Sequence, residues 1–155
     1  MSRSKSEKQR PHSRILFLCS GNYFRSRFSE ELFNHWARRL EIPWQADSRG
    51  LIRNLDGLRN AGTISPHTIK ALATRGISPL ADKRWPQPVS REELLEADRV
   101  VALKEAEHRP MMQAHFPDLV ERVEYWSVDD IDVASPNVGI TQAEQLLLDL
   151  IRSLK

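Results

Sequence analysis

The stretch Ile15-Leu-Phe-Leu-Cys19-Ser-Gly-Asn-Tyr-Phe-Arg25-Ser26 decides how the rest of the chain is read. Its first half is an unbroken apolar run bounded by a polar segment before it and a glycine turn after it. A run of this length suits a strand buried on both faces, as in a parallel sheet. Ser20-Gly21-Asn22 is turn chemistry. From Ser26 to Leu40 the apolar residues Phe28, Leu32, Phe33, Trp36 and Leu40 recur at helical spacing. Glu30 and Glu31 lie early in that helix and Arg38 and Arg39 near its end, as the helix dipole favours.

Outward from this unit the same alternation repeats. Trp44–Ser48 reads as a short strand, followed by a glycine- and arginine-rich loop over Arg49–Gly62. Ser65-Pro66 opens a helix that ends at Gly76. Ala81–Val89 is an irregular, proline-containing connection. Ser90-Arg-Glu-Glu93 is a capping box that starts a brief helix to about Ala97. Arg99–Leu103 is a second clear strand. Glu105–Phe116 is helical, with Pro110 expected to kink or split it. Val123–Val128 is a strand, and Thr141–Leu154 a closing helix capped by Thr141, with Glu144 three residues on. Four strands alternating with helices predict a single three-layer α/β domain: about four parallel strands with helices on both faces and right-handed crossovers. Ligands in such sheets bind beyond the carboxyl ends of the strands. The segments to watch therefore follow Leu18, Ser48, Leu103 and Val128.

Composition narrows the chemistry. The chain has 155 residues, which suits one domain, and 28% of them are charged, as in an ordinary globular chain. Its single cysteine, Cys19, leaves no internal disulfide framework and no multi-cysteine metal site. A lone thiol suits a reducing compartment, so a cytoplasmic location is expected. Net charge is +2, but residues 1–14 alone carry +4, so the remainder is slightly acidic. Met1–Ser13 reads as a basic, disordered tail and residues 14–155 as the domain. No apolar run approaches the roughly 20 residues of a membrane span, so no membrane partner is expected. Nucleic acid is not expected either. His12, His35, His67, His108 and His115 show no metal-ligand spacing, and neither metal nor cofactor is implied.

The turn after the first strand carries the chemistry. Cys19 and Arg25 bracket a five-residue loop that leads into a helix. A loop of this kind can curl its N–H groups around an anion, with the helix N-terminus adding partial positive charge. Gly21 and Asn22 tolerate the positive φ that the curl requires. No proline interrupts positions 20–25, so Ser20, Gly21, Asn22, Tyr23 and Phe24 can all donate. The Arg25 fork matches two phosphate oxygens. The same donors favour the thiolate of Cys19, and the Ser26 hydroxyl can donate to it. At this composition, a given Cys followed at this spacing by Arg and then Ser or Thr arises by chance on the order of once in 75. The alternative reading is a buried structural cysteine that ends a strand.

Together, Ile15–Leu18 and Cys19–Ser26 resemble the active-site loop of low-molecular-weight protein tyrosine phosphatases. Ser29–Phe33, Ser48-Arg-Gly50, Gly62–Gly76 and Ala97–Leu103 extend the resemblance along most of the chain. The resemblance implies Cys19 as nucleophile, Arg25 as phosphoryl-binding group, Asn22 as a prop of the loop and Ser26 as thiolate stabiliser. It also implies a general acid in a late loop. There Trp126-Ser-Val-Asp129-Asp130-Ile-Asp132 offers Asp130 first, Asp129 second and Asp132 last. The implied substrate is a phosphorylated protein or small aryl phosphate, hydrolysed through a phosphocysteine.

Four departures from the family pattern stand out. Ile131 replaces a proline expected after the acid, and Phe24 replaces a second loop cysteine. Arg27 replaces a proline just after the loop and adds positive charge near the anion site. Asp132–Pro136 replaces an aromatic pair that helps select phosphotyrosine. Two other functions fit the same loop: arsenate reduction through an external thiol, and a phosphate- or phosphopeptide-binding module with little turnover. Further rim candidates are Trp44, Trp85, Arg49, Arg53 and Arg59, each equally or better explained by packing or solvated loop. Asp98 and Lys104 flank the third strand with no role assigned.

Overall fold

β1 (Ser13–Cys19) takes its place at the centre because its side chains are apolar on both faces. In the computed structural model, which describes residues 12–130 and 135–155, it pairs in parallel with β2 (Trp44–Gly50) on one side and β3 (Arg99–Ala102) on the other. β4 (Val123–Tyr125) adds in parallel to β3, so the strand order is β2-β1-β3-β4. The period of two along β1 divides the core. Ile15 and Phe17 pack with α1 (Arg25–Arg39), α2 (Pro66–Ala73) and α5 (Pro136–Leu154), through residues such as Phe28, Phe33, Leu72 and Leu147. Leu16 and Leu18 face the opposite side, where Leu94 of α3 (Arg91–Glu96) and Met112 of α4 (Glu105–His115) close a second core. The three-layer α/β domain expected from the sequence is the one observed. Among the described residues, no helix is long and apolar enough to cross a membrane.

Several boundaries differ from expectation. α5 starts at Pro136 behind Ser135 rather than at Thr141. Proline at the first helical position is pre-set for the helix, and this outweighs the Thr141–Glu144 signal, which falls inside it. Glu144 instead pairs with Arg75 at 2.6 Å. α4 runs unbroken through Pro110. Pro110 and Ala106, whose carbonyl the missing N–H would have met, are both exposed, so that carbonyl can turn to water. β4 ends at Tyr125, although Trp126 and Val128 still donate to Ala102 and Leu103 carbonyls. Glu30 and Glu31 lie beyond the first turn of α1 and are buried, so tertiary contacts, not the dipole, place them there. Of the tail expected over Met1–Ser13, residues 1–11 lie outside the described residues, and Ser13 opens β1.

Phe33 is fully buried and meets Phe17 edge-on at 6.0 Å between ring centroids. Phe33→Ala is expected to destabilise the fold by about 3–5 kcal/mol, read as a lowered urea midpoint with an unchanged slope.

Candidate active site

The segments that follow β1, β2 and β4 enclose one cavity of about 260 Å³. Cys19, Ser20, Gly21, Tyr23, Phe24 and Arg25 line its floor. Ile52, Leu58 and Asn60 line one wall, and Asp130 stands on the other side. The loop reaches this shape because Asn22 adopts φ 51°. The expectation that Gly21 would share the positive φ is not met; the left-handed turn falls on Asn22 alone, among the residues that tolerate it best. Gly50, at the end of β2, lets the loop lie close: a Cβ there would stand 2.9 Å from the Ser20 carbonyl oxygen. α1 starts at Arg25, so the N–H groups of its first turn have no carbonyl one turn back and point toward the cradle.

Asn22 and Ser26 are fully buried beneath the loop rather than on its surface. Asn22 Nδ2 donates to Ser26 Oγ at 2.9 Å and to Ser48 Oγ at 3.0 Å. Asn22 Oδ1 accepts from Arg84 Nη1 and from the Gln87 N–H, both at 3.1 Å. Cys19 Sγ lies 3.0 Å from Ser26 Oγ. Asn22 donates to the same oxygen, so the hydroxyl keeps its hydrogen; the thiol can donate to this oxygen, and a thiolate, which only accepts, can receive the serine hydrogen. Ser48 Oγ donates in turn to Glu30 at 2.5 Å, and Arg84 Nη2 pairs with the same Glu30 oxygen at 2.9 Å. Burial pushes the Glu30 carboxyl above its ordinary range, against the pull of Ser48 and Arg84.

Arg25 is almost wholly buried and meets two carboxylates. Its Nη2 lies 2.9 Å from Glu107 Oε1 and 3.3 Å from Asp130 Oδ2. Asp129 is turned elsewhere. It pairs with Lys104, its N–H donates to Gln142 Oε1 at 2.8 Å, and Gln142 Nε2 donates back to Asp129 Oδ2 at 3.2 Å. Its carboxyl is held below the usual range, chiefly by Lys104. Asp132 and Ile131 lie outside the described residues.

Arg27 is fully buried away from the cavity and donates to the Thr63 and Ala81 carbonyls at 2.7 Å each. The charge expected near the anion is thus spent on tying two loops to α1. Arg49 pairs with Asp47 and Glu93, and Arg53 donates to the Gly50, Leu51 and Val89 carbonyls. Neither these two nor Arg59, Trp44 or Trp85 lines the cavity. Asp98 accepts the Arg14 N–H at 2.7 Å.

Four contributors went unnoticed in the sequence: Ser48, Arg84, Glu107 and His108. Ser48 lies near the carboxyl end of β2 and the Glu107–His108 pair follows β3, close to where the topology rule pointed. Arg84 sits in an irregular connection and gave no signal.

A thiol under a curled loop, an arginine fork and a carboxylate across the cavity are the parts of a cysteine-dependent phosphatase. The family model "Low molecular weight phosphotyrosine protein phosphatase" matches residues 14–152, and the chain belongs to that family. It is 28% identical over 153 residues to the protein-arginine-phosphatase of Bacillus subtilis (strain 168), covering 91% of this chain and 96% of that protein. It is similar to the crystal structure of a low molecular weight protein tyrosine phosphatase from T. tengcongensis, at 25% identity and TM-score 0.74, covering 92% of this chain and 99% of that one. The corresponding enzyme of Streptococcus pyogenes shares the fold at 14% identity and TM-score 0.76, over 92% of this chain and 93% of that one.

Asn22→Ala places alanine at a positive φ and strands four hydrogen-bond partners, of which the Ser26 and Ser48 hydroxyls are buried. It is expected to lose about 1–3 kcal/mol of stability, read by thermal unfolding. Asn22→Gly relieves the backbone but not the lost bonds, and is expected to recover only part of that loss.

Proposed function

We propose that this protein phosphatase hydrolyses phosphotyrosine and small aryl phosphates through a phosphocysteine on Cys19. The observation that carries the reading is the convergence of Cys19 with its Ser26 hydroxyl, Arg25 and Asp130 on one cavity. The Cys19 thiolate attacks phosphorus in line, and the bond to the leaving oxygen breaks. Arg25 and the loop N–H groups of residues 20–24 hold the equatorial oxygens and stabilise their charge. Asp130 gives its proton to the leaving oxygen. In the second half, Asp130 takes a proton from water, the water oxygen attacks phosphorus, and the S–P bond breaks to return the thiolate. A cytoplasmic setting suits a lone thiol nucleophile.

A second substrate reading has its own support: the matched curated relative is a protein-arginine-phosphatase. In that case the bond broken is P–N, and Asp130 protonates the guanidino nitrogen. The apolar wall of Ile52 and Leu58 favours the aryl substrate. Parallel assays on a phosphotyrosine peptide and a phosphoarginine peptide decide between them by kcat/KM.

Cys19→Ser is expected to leave the fold intact and abolish release of para-nitrophenolate from para-nitrophenyl phosphate. Turnover in that variant at the wild-type rate overturns the mechanism. Asp130→Ala is expected to lower kcat by about a hundredfold with a poor leaving group, and by less with a good one. Asp129→Ala, which loses the Lys104 and Gln142 contacts, is expected to lower kcat by less than about tenfold. The reverse order moves the acid to Asp129.

A further inference from the structure

Glu107 has no part in the reaction above, yet its carboxylate makes the closest polar contact of Arg25. Resting on the reading of Arg25 as the phosphoryl-binding group, we propose that Glu107 is a positioning residue: a standing counter-ion that fixes the Arg25 fork while Asp130 is the carboxylate that arriving phosphate displaces.

The side chain of Arg25 is only 2% exposed. A cation so placed needs partners. Its two terminal nitrogens make four hydrogen bonds. Nη1 donates to Glu107 Oε2 and to the Val128 carbonyl, each at 3.2 Å. Nη2 donates to Glu107 Oε1 at 2.9 Å and to Asp130 Oδ2 at 3.3 Å. An incoming phosphoryl group competes for these donors. Asp130 meets Arg25 through one oxygen, at the longest of the four distances, and must reach the leaving atom. It is the partner that yields. Glu107 meets both nitrogens with both of its oxygens, and it is held from behind.

That hold comes from the first turn of α4. Glu107 Oε1 also accepts the Ser20 hydroxyl, the first residue of the loop. His108 is fully buried, and its Nδ1 accepts the Lys104 N–H at 3.0 Å. The ring proton therefore sits on Nε2, which faces Ser20 Oγ at 3.1 Å and Glu107 Oε1 at 3.5 Å. Burial pushes the His108 imidazole below its ordinary range, which keeps it neutral. Glu107 itself is held well below the usual carboxylate range, foremost by His108 and then by Arg25 and Ser20. The titratable groups facing Arg25 are thus Cys19, Asp130 and Glu107. Because β3 pairs with β1, the turn after β3 delivers Glu107 and His108 to the loop after β1. The contact is therefore a product of sheet register.

The test is steady-state hydrolysis of para-nitrophenyl phosphate across pH by wild type, Cys19→Ser, Glu107→Gln and Glu107→Asp, with circular dichroism as the fold control. Glu107→Gln keeps the shape and removes the charge. It is expected to lower kcat about tenfold while KM stays within about threefold. Asp130 becomes the remaining carboxylate on Arg25 and is drawn harder to it. The alkaline limb of kcat/KM is then expected to move to lower pH by about half a unit. Glu107→Asp keeps the charge but falls one methylene short, so kcat drops while the limb stays at the wild-type position. An active wild type matched by Glu107→Gln in kcat and in the limb overturns this inference alone. A fall in kcat with raised KM and an unmoved limb marks a merely structural role and overturns it equally. Should Glu107→Gln fail to fold, wild-type kcat in Glu107→Asp overturns it. A wild type as silent as Cys19→Ser overturns the hydrolase reading and this inference with it.

Discussion

The buried amide of Asn22 is the contact on which the site depends. One primary amide offers two N–H donors and two acceptor lone pairs, and here all four are used. They reach Ser26 on α1, Ser48 on β2, and Arg84 and Gln87 in the connection before α3. The side chain thus joins three separate segments beneath a loop that has no regular structure of its own. The same residue takes the left-handed backbone that the curl demands. These two duties explain why a small polar residue stands there: glycine meets the backbone need without the bonds, and most other residues meet neither. The Cys19 thiol inherits its surroundings from this bracing, because Asn22 donates to the Ser26 hydroxyl that lies 3.0 Å from its sulfur.

Around that brace, three arginines divide the electrostatics. Arg25 faces the cavity and is balanced by carboxylates. Arg84 is balanced by Glu30 and reaches Asn22. Arg27 is balanced mainly by main-chain carbonyls, and burial lowers its pKa. Of the three, only Arg25 lines the cavity. The positive charge near the loop is therefore larger than the charge an anion meets directly. Glu31 completes the pattern, with its two oxygens accepting the N–H groups of Leu80 and Ala81 at 2.9 Å each. Buried polar groups of this kind add order more reliably than they add stability. Here the order extends to the irregular 78–88 segment, whose sheet-like pairing is confined to the bridge between Pro88 and Gly50.

The apolar periodicities made the fold legible. The run Ile15–Leu18, the strand at Arg99 and the helical stripe Phe28, Leu32 and Phe33 bury what their pattern says they bury, whereas Trp36 is half-buried and Leu40, at the helix end, is exposed. The anion loop was legible because its chemistry is local: Cys19, Arg25 and Ser26 lie within one turn of chain. What escaped was whatever depends on distant register. Glu107 sits 82 residues from Arg25, and Arg84 sits 62 from Asn22. No local pattern announces such pairs. Pro110 misled for a related reason, since the consequence of a helical proline depends on which face it occupies. Thr141 misled because a cap signal is read from sequence spacing alone, whereas Ser135-Pro136 offered an earlier start.

The acid segment shows how a missing local constraint is replaced by tertiary ones. Ile131 stands where a proline would have stiffened the chain. In its absence Asp129, two residues earlier, is fixed on three sides. Lys104 binds the Asp129 carboxylate, Gln142 accepts the Asp129 N–H and donates back to its carboxylate, and the Asp129 carbonyl rests where Gly139 has no side chain. A Cβ at residue 139 would collide with that carbonyl. The two aspartates are therefore not interchangeable. Asp129 spends its hydrogen-bonding capacity on anchoring the segment to α5 and to the end of β3. Asp130, one residue on, is turned toward the cavity and Arg25. A general acid needs a stable mounting and a carboxyl group that can move to the leaving atom. With Asp130 as the proposed acid, Asp129 supplies the mounting and Asp130 the movement.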